Sequence, residues 1–463
     1  MTKNKMHFEI SERKMILRFF DVFFVLSVLY VIGSVFEYSY LENTASSVKR
    51  ILVFALYLNV FGAIFEMYNL QVASNEFQVL RSSILTGSIT VLAYLLTPIL
   101  TPVLPESRIQ IFLFYIIVII VLYSWRLFYV RYLASNRFRQ NAVLICDKDQ
   151  AEELILGLEN IDPHYKIVAY VNSDTLENKS EDYHYVENIK RTDLVSFVNE
   201  NKISEIVIAS KKTEFITTEL YQQLIRLLET GNIIREYTQV YESKTQRIPI
   251  HFMERDFYKF FPFSGSNQNK LYLSLIRIFD IGLSVFGLFV GITLTPFIVL
   301  GNRIGNKGDL FYTQERVGKD GEIFNILKFR TMVKNAESNG AVFAVANDNR
   351  ITGFGKFLRK TRIDEFPQFL NILKGEMAIV GPRPERPFFV KAIAAKMPFY
   401  ETRHVIKPGL TGWAQVNYAY GETIEDSLIK LQYDLYYIKH RSVYLDLNIA
   451  IKTITTVLFY RGQ

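Results

Sequence analysis

The chain has 463 residues, room for roughly three domains at ~150 residues each, with 49% hydrophobic residues, 21% charged residues and a mean hydropathy of +0.12. That balance excludes a disordered chain, and 53 Lys+Arg against 46 Asp+Glu, a net +7, is too small an excess for a dedicated nucleic-acid binder but suits an anionic membrane face or phosphate-bearing substrates. A single cysteine, Cys146, excludes an intramolecular disulfide and a cysteine-based metal site.

Four apolar stretches fill the first 130 residues: Ile16–Tyr38, Ile51–Met67, Ile84–Leu104 and Ile109–Tyr129. Each is near the ~20 residues a spanning helix needs, so residues 1–135 are predicted to form four transmembrane helices. Lys3, Lys5, Arg13, Lys14 and Arg18 precede the first span, and Arg126, Arg131, Arg137 and Arg139 follow the fourth; this bias places both ends in the cytoplasm. Asp21 and Glu66 lie near span ends, where solvation at the interface is the expected role.

Residues 136–245 alternate apolar runs with helical patterns, as βαβ units do. Strands are expected at Ala142–Cys146, Lys166–Val171 and Glu205–Ala209, with helices at Gln150–Glu159, Leu194–Asn199 and Glu219–Glu229. The outline is Rossmann-like. Cys146-Asp147-Lys148-Asp149 stands where a dinucleotide fingerprint would place its glycines, so a structural or regulatory module is expected rather than a nucleotide-binding one. Residues 246–270 form a connector rich in aromatic and basic side chains, including Phe257, Tyr258, Lys259 and Phe260, suited to the membrane interface or to packing on the next domain.

A fifth apolar segment, 271–300, contains Arg277 and Asp280 near its start and Thr295-Pro296 late, where proline is expected to kink the helix. A full span would place the remaining residues outside the cell, whereas a bent, re-entrant helix would return them to the cytoplasm. The densest chemistry follows. Lys328-Phe329-Arg330-Thr331-Met332 puts two cations on one face of an extended segment. Next, Lys356, Arg359, Lys360 and Arg362 lead into the adjacent carboxylates Asp364 and Glu365. Carboxylates beside Mg²⁺ and arginines suit phosphoryl chemistry, in which a carboxylate can itself be the nucleophile. The bland alternative is a solvated acidic helix cap. A Gly/Pro-punctuated turn, Gly381-Pro382-Arg383-Pro384, presents Arg383, whose planar fork suits a phosphate or a base edge. In a second rigid loop, Lys407 to Val416, Trp413 can stack on a base or pack. His404 and His440 are read as structural.

These motifs, from Arg277-Ile278-Phe279-Asp280 through Asp364-Glu365-Phe366-Pro367-Gln368, Val380–Pro384 and Pro408–Val416 to Tyr433-Asp434-Leu435-Tyr436-Tyr437, resemble bacterial polyprenyl-phosphate hexose-1-phosphate transferases, the monotopic phosphoglycosyl transferases. The resemblance covers residues 270–463; the four spans and Rossmann-like module ahead resemble the large members by architecture. It implies a membrane α/β protein in which a re-entrant helix, 271–300, broken at Thr295-Pro296, carries a mostly helical catalytic domain, 271–463, on the cytoplasmic side of the bacterial inner membrane. It further implies transfer of a sugar-1-phosphate, glucose or galactose phosphate in the first instance, from a UDP-sugar to undecaprenyl phosphate with release of UMP. Asp364 aligns with the family's nucleophile and Glu365 with its dyad partner, which helps hold Mg²⁺ with Asp364 or activates the lipid phosphate. Lys328, Arg330, Arg359, Arg362 and Arg383 are the candidate phosphate and nucleotide ligands, of which Arg359 and Arg383 match family arginines. Departures are Thr295 in place of serine, Asp309 where relatives often have proline, and Ala378 where many have serine. The expected partners are the two substrates, the bilayer and a second copy of the chain, with no nucleic acid. The rivals are a membrane-anchored nucleotide-sugar epimerase or dehydratase, which lacks its glycine fingerprint here, and a non-enzymatic scaffold or regulator of polysaccharide assembly.

Overall fold

The computed structural model describes residues 10–68, 76–105, 107–134, 140–147, 150–159, 165–172, 186–201, 203–209, 217–250, 267, 269–306, 308–334, 336, 348–397, 399–418 and 423–458. Lys3, Lys5, Arg137, Arg139, Lys148, Asp149 and the aromatic run 257–263 lie outside them. The chain divides into two compact units, Met1–Thr245 and Gln246–Gln463.

The first unit opens with five helices: α1 (Ile10–Val35), α2 (Ser39–Ser46), α3 (Val48–Ile64), α4 (Glu76–Leu95) and α5 (Arg108–Phe128). Their shared core holds Val25, Leu29, Phe54, Leu58, Tyr94, Phe114 and Leu122. Among the described residues of the whole chain, three helices are long and apolar enough to cross a membrane: Glu12–Val35, Arg108–Tyr132 and Lys270–Gly305. A fourth is counted if α2 and α3, bent by 88°, form one span. The third expected span fares differently. Its helix, α4, starts earlier and ends sooner than Ile84–Leu104, and Gln78, Arg81, Ser82, Ser83, Thr86 and Thr90 make it too polar to count among the apolar helices.

Interfacial solvation is corrected for Asp21. Asp21 is fully buried, and Arg126, expected as a flanking cation, meets it: Nε donates to Oδ1 at 2.9 Å and Nη2 to Oδ2 at 2.5 Å. The third arm of the guanidinium, Nη1, donates to the Met67 carbonyl at 2.9 Å. The fork satisfies both carboxylate oxygens at once, which is what makes an ion pair tolerable inside an apolar bundle.

The same unit then forms a parallel sheet of β1 (Gln140–Cys146), β2 (Tyr165–Asn172), β3 (Glu187–Asn188), β4 (Glu205–Ile208) and β5 (Ile233–Glu236), in the order β3-β2-β1-β4-β5. Helices α6 (Ala151–Glu159), α7 (Leu194–Glu200), α8 (Thr218–Glu229) and α9 (Tyr237–Thr245) connect or follow the strands. The expected strands and helices recur within a few residues; β3, β5 and α9 are additional. Continuous burial of Val143–Cys146 fits a strand covered on both faces.

The second unit is built along α10 (Lys270–Gly305), longer than the apolar run 271–300 that predicted it. The break expected at Thr295-Pro296 does not interrupt it: the helix continues as one through Pro296, and the Thr295 hydroxyl donates to the Gly291 carbonyl at 2.8 Å. Its buried residues, Asp280, Ser284, Gly287, Gly291, Ile298 and Asn302, recur at helical spacing on one face, while Phe286, Phe289, Ile292, Phe297 and Leu300 are exposed on the others. The rest comprises the hairpin β6 (Phe311–Val317) and β7 (Ile323–Phe329), α11 (Gly353–Lys360), α12 (Gln368–Lys374), β8 (Ala378–Val380), α13 (Pro387–Lys396), β9 (Gly409–Thr411), α14 (Trp413–Asn417), α15 (Ile424–His440) and α16 (Val443–Leu458). β6 and β7 pair antiparallel, β8 and β9 parallel. Trp413 is buried, its indole N–H donating to the Gln246 carbonyl at 3.2 Å, so packing rather than base stacking is its role.

Arg126→Leu leaves the Asp21 carboxylate buried and unpaired, a loss of roughly 3–5 kcal/mol, whereas Asp21→Leu/Arg126→Leu removes both charges and recovers most of it. Thermal unfolding in detergent reads the difference; equal melting of single and double variants would contradict it.

Candidate active site

Asp364 and Glu365 sit in a single 3-10 turn, Ile363–Glu365, between α11 and α12. Arg362 ahead of it adopts the left-handed region (φ 58°), turning the chain so that both carboxylates point inward; they are 6% and 8% exposed, and so are not a solvated helix cap. Two adjacent carboxylates cannot ionise equally at close range. Their surroundings separate them.

Three cations converge on Glu365 Oε1: Arg383 Nη2 at 3.1 Å, Arg362 Nη1 at 3.4 Å and Lys328 Nζ at 3.5 Å. Burial alone would raise the Glu365 pKa, but Arg383, Lys328 and Arg362 outweigh it and hold the group well below the usual carboxylate range. Asp364 Oδ1 is buried with no hydrogen-bond partner. Burial and the neighbouring Glu365 charge push the Asp364 pKa up to about 6, against the pull of Lys328, Arg359 and Arg362. Lys328 is itself lowered by burial, with Glu365 opposing. The result is one permanently charged, well-tethered carboxylate beside one bare carboxylate that titrates just below neutrality, within a surplus of positive charge.

Each side chain arrives by a separate route. Lys328 comes from β7, whose register with β6 sets it opposite Tyr312. Asn371 in α12 locks that strand to the turn: its Oδ1 accepts from Leu327 N at 3.1 Å, and its Nδ2 donates to the Asn325 carbonyl at 2.8 Å and to Glu376 Oε2 at 2.7 Å. Arg359, in the last turn of α11, donates from Nε to Thr331 Oγ1 at 3.0 Å. Arg330 departs from expectation. It follows the last residue of β7 and turns to Asp309, with Nε to the main-chain oxygen at 3.0 Å and Nη2 to Oδ2 at 3.4 Å, so Lys328 and Arg330 do not share a destination.

Beneath the turn lies α10. Arg277 donates to the last carbonyls of α12, Ile372 at 2.6 Å and Leu373 at 2.7 Å, and Asp280 accepts from Ile379 N at 2.9 Å. Phe366 and Phe369, flanking the start of α12, lie over Gly291 and Gly287; a Cβ on Gly287 would come within 2.3 Å of the Phe369 ring. Thr295 and Pro296 lie between Gly291 and Ile298, and Ile298 joins Phe329 and Leu358 in a small core with Ile363 and Phe366 against it. The helix therefore touches the segment that carries the two carboxylates.

Sequence reasoning missed Arg316, Tyr400 and Arg403 and gave Asp434 only as part of a motif. Arg403 and Asp434 form a buried pair at 2.7 Å, and Arg403 also holds the Arg383 carbonyl at 2.9 Å. His404, lowered to about 4 by burial and by Arg403, is neutral near pH 7 and stays structural.

Among the described residues no group of three or more His, Cys, Asp or Glu is placed to hold a metal ion. Mg²⁺ needs fewer protein ligands, taking one or two carboxylates together with substrate phosphate oxygens and water. The unpartnered Asp364 oxygen beside Glu365 fits that donor set.

Residues 271–460 match the bacterial sugar transferase family. The uncharacterized sugar transferase EpsL of Bacillus subtilis (strain 168) is 35% identical over 188 residues, 41% of this chain and 89% of that protein. The chain belongs to the bacterial sugar transferase family. It is also 37% identical over 257 residues to the UDP-N-acetylgalactosamine-undecaprenyl-phosphate N-acetylgalactosaminephosphotransferase of Aeromonas hydrophila, covering 55% of this chain and 59% of that one. The UDP-glucose:undecaprenyl-phosphate glucose-1-phosphate transferase of Xanthomonas campestris pv. campestris is 39% identical over 197 residues, 42% of this chain and 41% of that one. The match thus spans about half the length of these two relatives.

The raised Asp364 pKa carries a sign. A carboxylate whose folded pKa lies above its unfolded value destabilises the fold as pH rises from about 4 through about 6, and that burden is full at neutrality. Asp364→Asn is expected to melt higher than the wild type at pH 7.5 and at the same temperature near pH 4; a variant that melts lower at pH 7.5 would contradict the assignment.

Proposed function

We propose that this protein transfers a sugar-1-phosphate from a UDP-sugar to undecaprenyl phosphate and releases UMP. The observation that carries the reading is the asymmetric pair itself: Asp364 with an unpartnered buried oxygen, next to a Glu365 held ionised by three cations. Family membership and relatives named for this transfer with N-acetylgalactosamine and glucose donors support it.

In the proposed first step an Asp364 carboxylate oxygen attacks the sugar-bearing phosphorus of the donor. The new P–O bond forms as the bond to the UMP oxygen breaks, giving a phosphosugar-aspartyl acyl phosphate and UMP. In the second step an oxygen of the lipid phosphate attacks the same phosphorus and Asp364 leaves as a carboxylate. The sugar C1–O bond is untouched throughout. A pKa of about 6 leaves Asp364 ionised near pH 7 yet desolvated, so it is more nucleophilic than a solvated carboxylate. Arg383, Arg359, Arg362 and Lys328 bind and orient the diphosphate, and their fixed positive field neutralises charge developing on the leaving UMP. Asp364 and Glu365 would hold Mg²⁺, which when bound supplies further neutralisation of phosphate charge.

The catalytic unit is proposed to sit on the cytoplasmic face of the bacterial inner membrane, with α10 re-entrant rather than spanning. In support, one face of α10 touches its own unit at Arg277, Asp280, Gly287, Gly291 and Gly301, and Asn302 donates to the Gly308 carbonyl at 2.7 Å. A polar unit packed along nearly the whole helix can stay on one side of a bilayer only if both helix ends do. The exposed Phe286, Phe289, Ile292 and Phe297 then face lipid, where a polyprenyl chain can approach laterally. Initiation of exopolysaccharide, capsule or O-antigen synthesis is the matching role, and a homodimer the proposed assembly.

UMP release by protein held in nanodiscs, tested with UDP-glucose, UDP-galactose, UDP-N-acetylglucosamine and UDP-N-acetylgalactosamine, should require Mg²⁺, increase with undecaprenyl phosphate and fall by at least about 10³-fold in Asp364→Asn. Release unaffected by that substitution would remove Asp364 as nucleophile. No release with any donor would favour a scaffold.

A further inference from the structure

The turn that presents Arg383 is immobilised through its main chain in an unusual way. Four consecutive carbonyls accept hydrogen bonds from three parts of the unit, the last two from adjacent residues of β6: Pro382 O from Gly409 N at 2.9 Å, Arg383 O from Arg403 Nη2 at 2.9 Å, Pro384 O from Arg316 Nη1 at 3.0 Å and Glu385 O from Val317 N at 2.9 Å. Pro382 and Pro384 have fixed φ and no N–H to offer, so these carbonyls are the turn's principal means of attachment. Gly381 and Gly409 cross so closely that a Cβ on Gly409 would come within 2.1 Å of Gly381 N, which closes the turn from the β8 side. On the other side the attachment is a side chain. Arg403 is 5% exposed, and its guanidinium divides among three oxygens: Asp434 Oδ2 at 2.7 Å, the Tyr400 hydroxyl at 2.7 Å and the Arg383 carbonyl. Its charge is already matched by Asp434, and its hydrogen bonds go to these oxygens rather than to Asp364 or Glu365.

We propose that Arg403 is a positioning residue that acts through Arg383, fixing the main chain from which the Arg383 side chain reaches Glu365 and the donor diphosphate. The inference rests on the reading of Arg383 as a donor ligand. It makes Arg403, Asp434 and Tyr400 a second layer of the nucleotide site, in which a buried ion pair holds a backbone rather than a substrate. Lysine cannot replace this arginine, because an ammonium on a flexible stem does not present a planar fork to three oxygens at once.

Two measurements test it. Arg403→Lys should increase amide exchange with deuterium in the peptide spanning residues 380–390, and leave α10 peptides unchanged; exchange like that of the wild type overturns the attachment whether or not any donor is turned over. In steady-state kinetics Arg403→Lys should raise the KM for the UDP-sugar about tenfold while kcat changes by less than about threefold. The same substitution made on Arg383→Ala should add less than about twofold, because the group being positioned is already gone. An equal factor in both backgrounds would mean that Arg403 acts on the fold at large, and would overturn the proposal. Should Arg403→Lys fold poorly, Arg403→Met/Asp434→Leu removes the pair together and carries the same expectations. A wild type that turns over no UDP-sugar would sink the function reading, and the exchange measurement would still decide the attachment.

Discussion

Glu365 stays ionised because Lys328, Arg362 and Arg383 meet at one of its oxygens, and the bareness of Asp364 is the other half of the same arrangement. Buried side by side, two unassisted carboxylates would share a proton. Directing the cations to one of them divides the roles: the tethered member sets the field, and the unpartnered member is available for bond formation. Exchanging the two residues would reverse which carboxylate the cations reach, so their order along the chain has chemical content.

That division depends on a rigid surround, because a charge-assisted contact at 3.1–3.5 Å is sensitive to small displacements. The left-handed Arg362 sets the direction of the turn. Asn371 fastens it to the strand that delivers Lys328. Arg277 and the close seats of Phe366 and Phe369 on glycines fasten it to α10. The same apolar helix thus touches the segment that carries Asp364 and Glu365, and under the proposed function that contact would bring lipid phosphate and donor together on one scaffold.

Much of this was legible in the sequence, for identifiable reasons. Adjacent acids after a run of cations, and an arginine between prolines, singled out Asp364, Glu365 and Arg383 but left a solvated helix cap open for the acids; the family resemblance supplied their expected roles. Alternating apolar runs marked β1, β2 and β4, whose burial leaves little room for other residues. What was hidden are contacts through main-chain atoms: Arg403 and Arg316 act on carbonyls, and no side-chain pattern reports a carbonyl. The destination of Arg330 was hidden because alternation along a strand gives direction but not the nearest carboxylate. The Asp21–Arg126 pair had a readable signal, since opposite charges within two apolar helices are costly unless they meet.

The central claim is that Asp364 itself becomes bonded to phosphorus. Incubation with a UDP-sugar labelled in the sugar-bearing phosphate, without lipid, followed by acid quench, digestion and mass spectrometry, tests it most directly. The account predicts one equivalent or less of label on the peptide containing Asp364, UMP formed in equal amount, and loss of label when undecaprenyl phosphate is added. UMP formed only when lipid is present, with no label on the protein at any time, would mean direct transfer between the substrates and would contradict it.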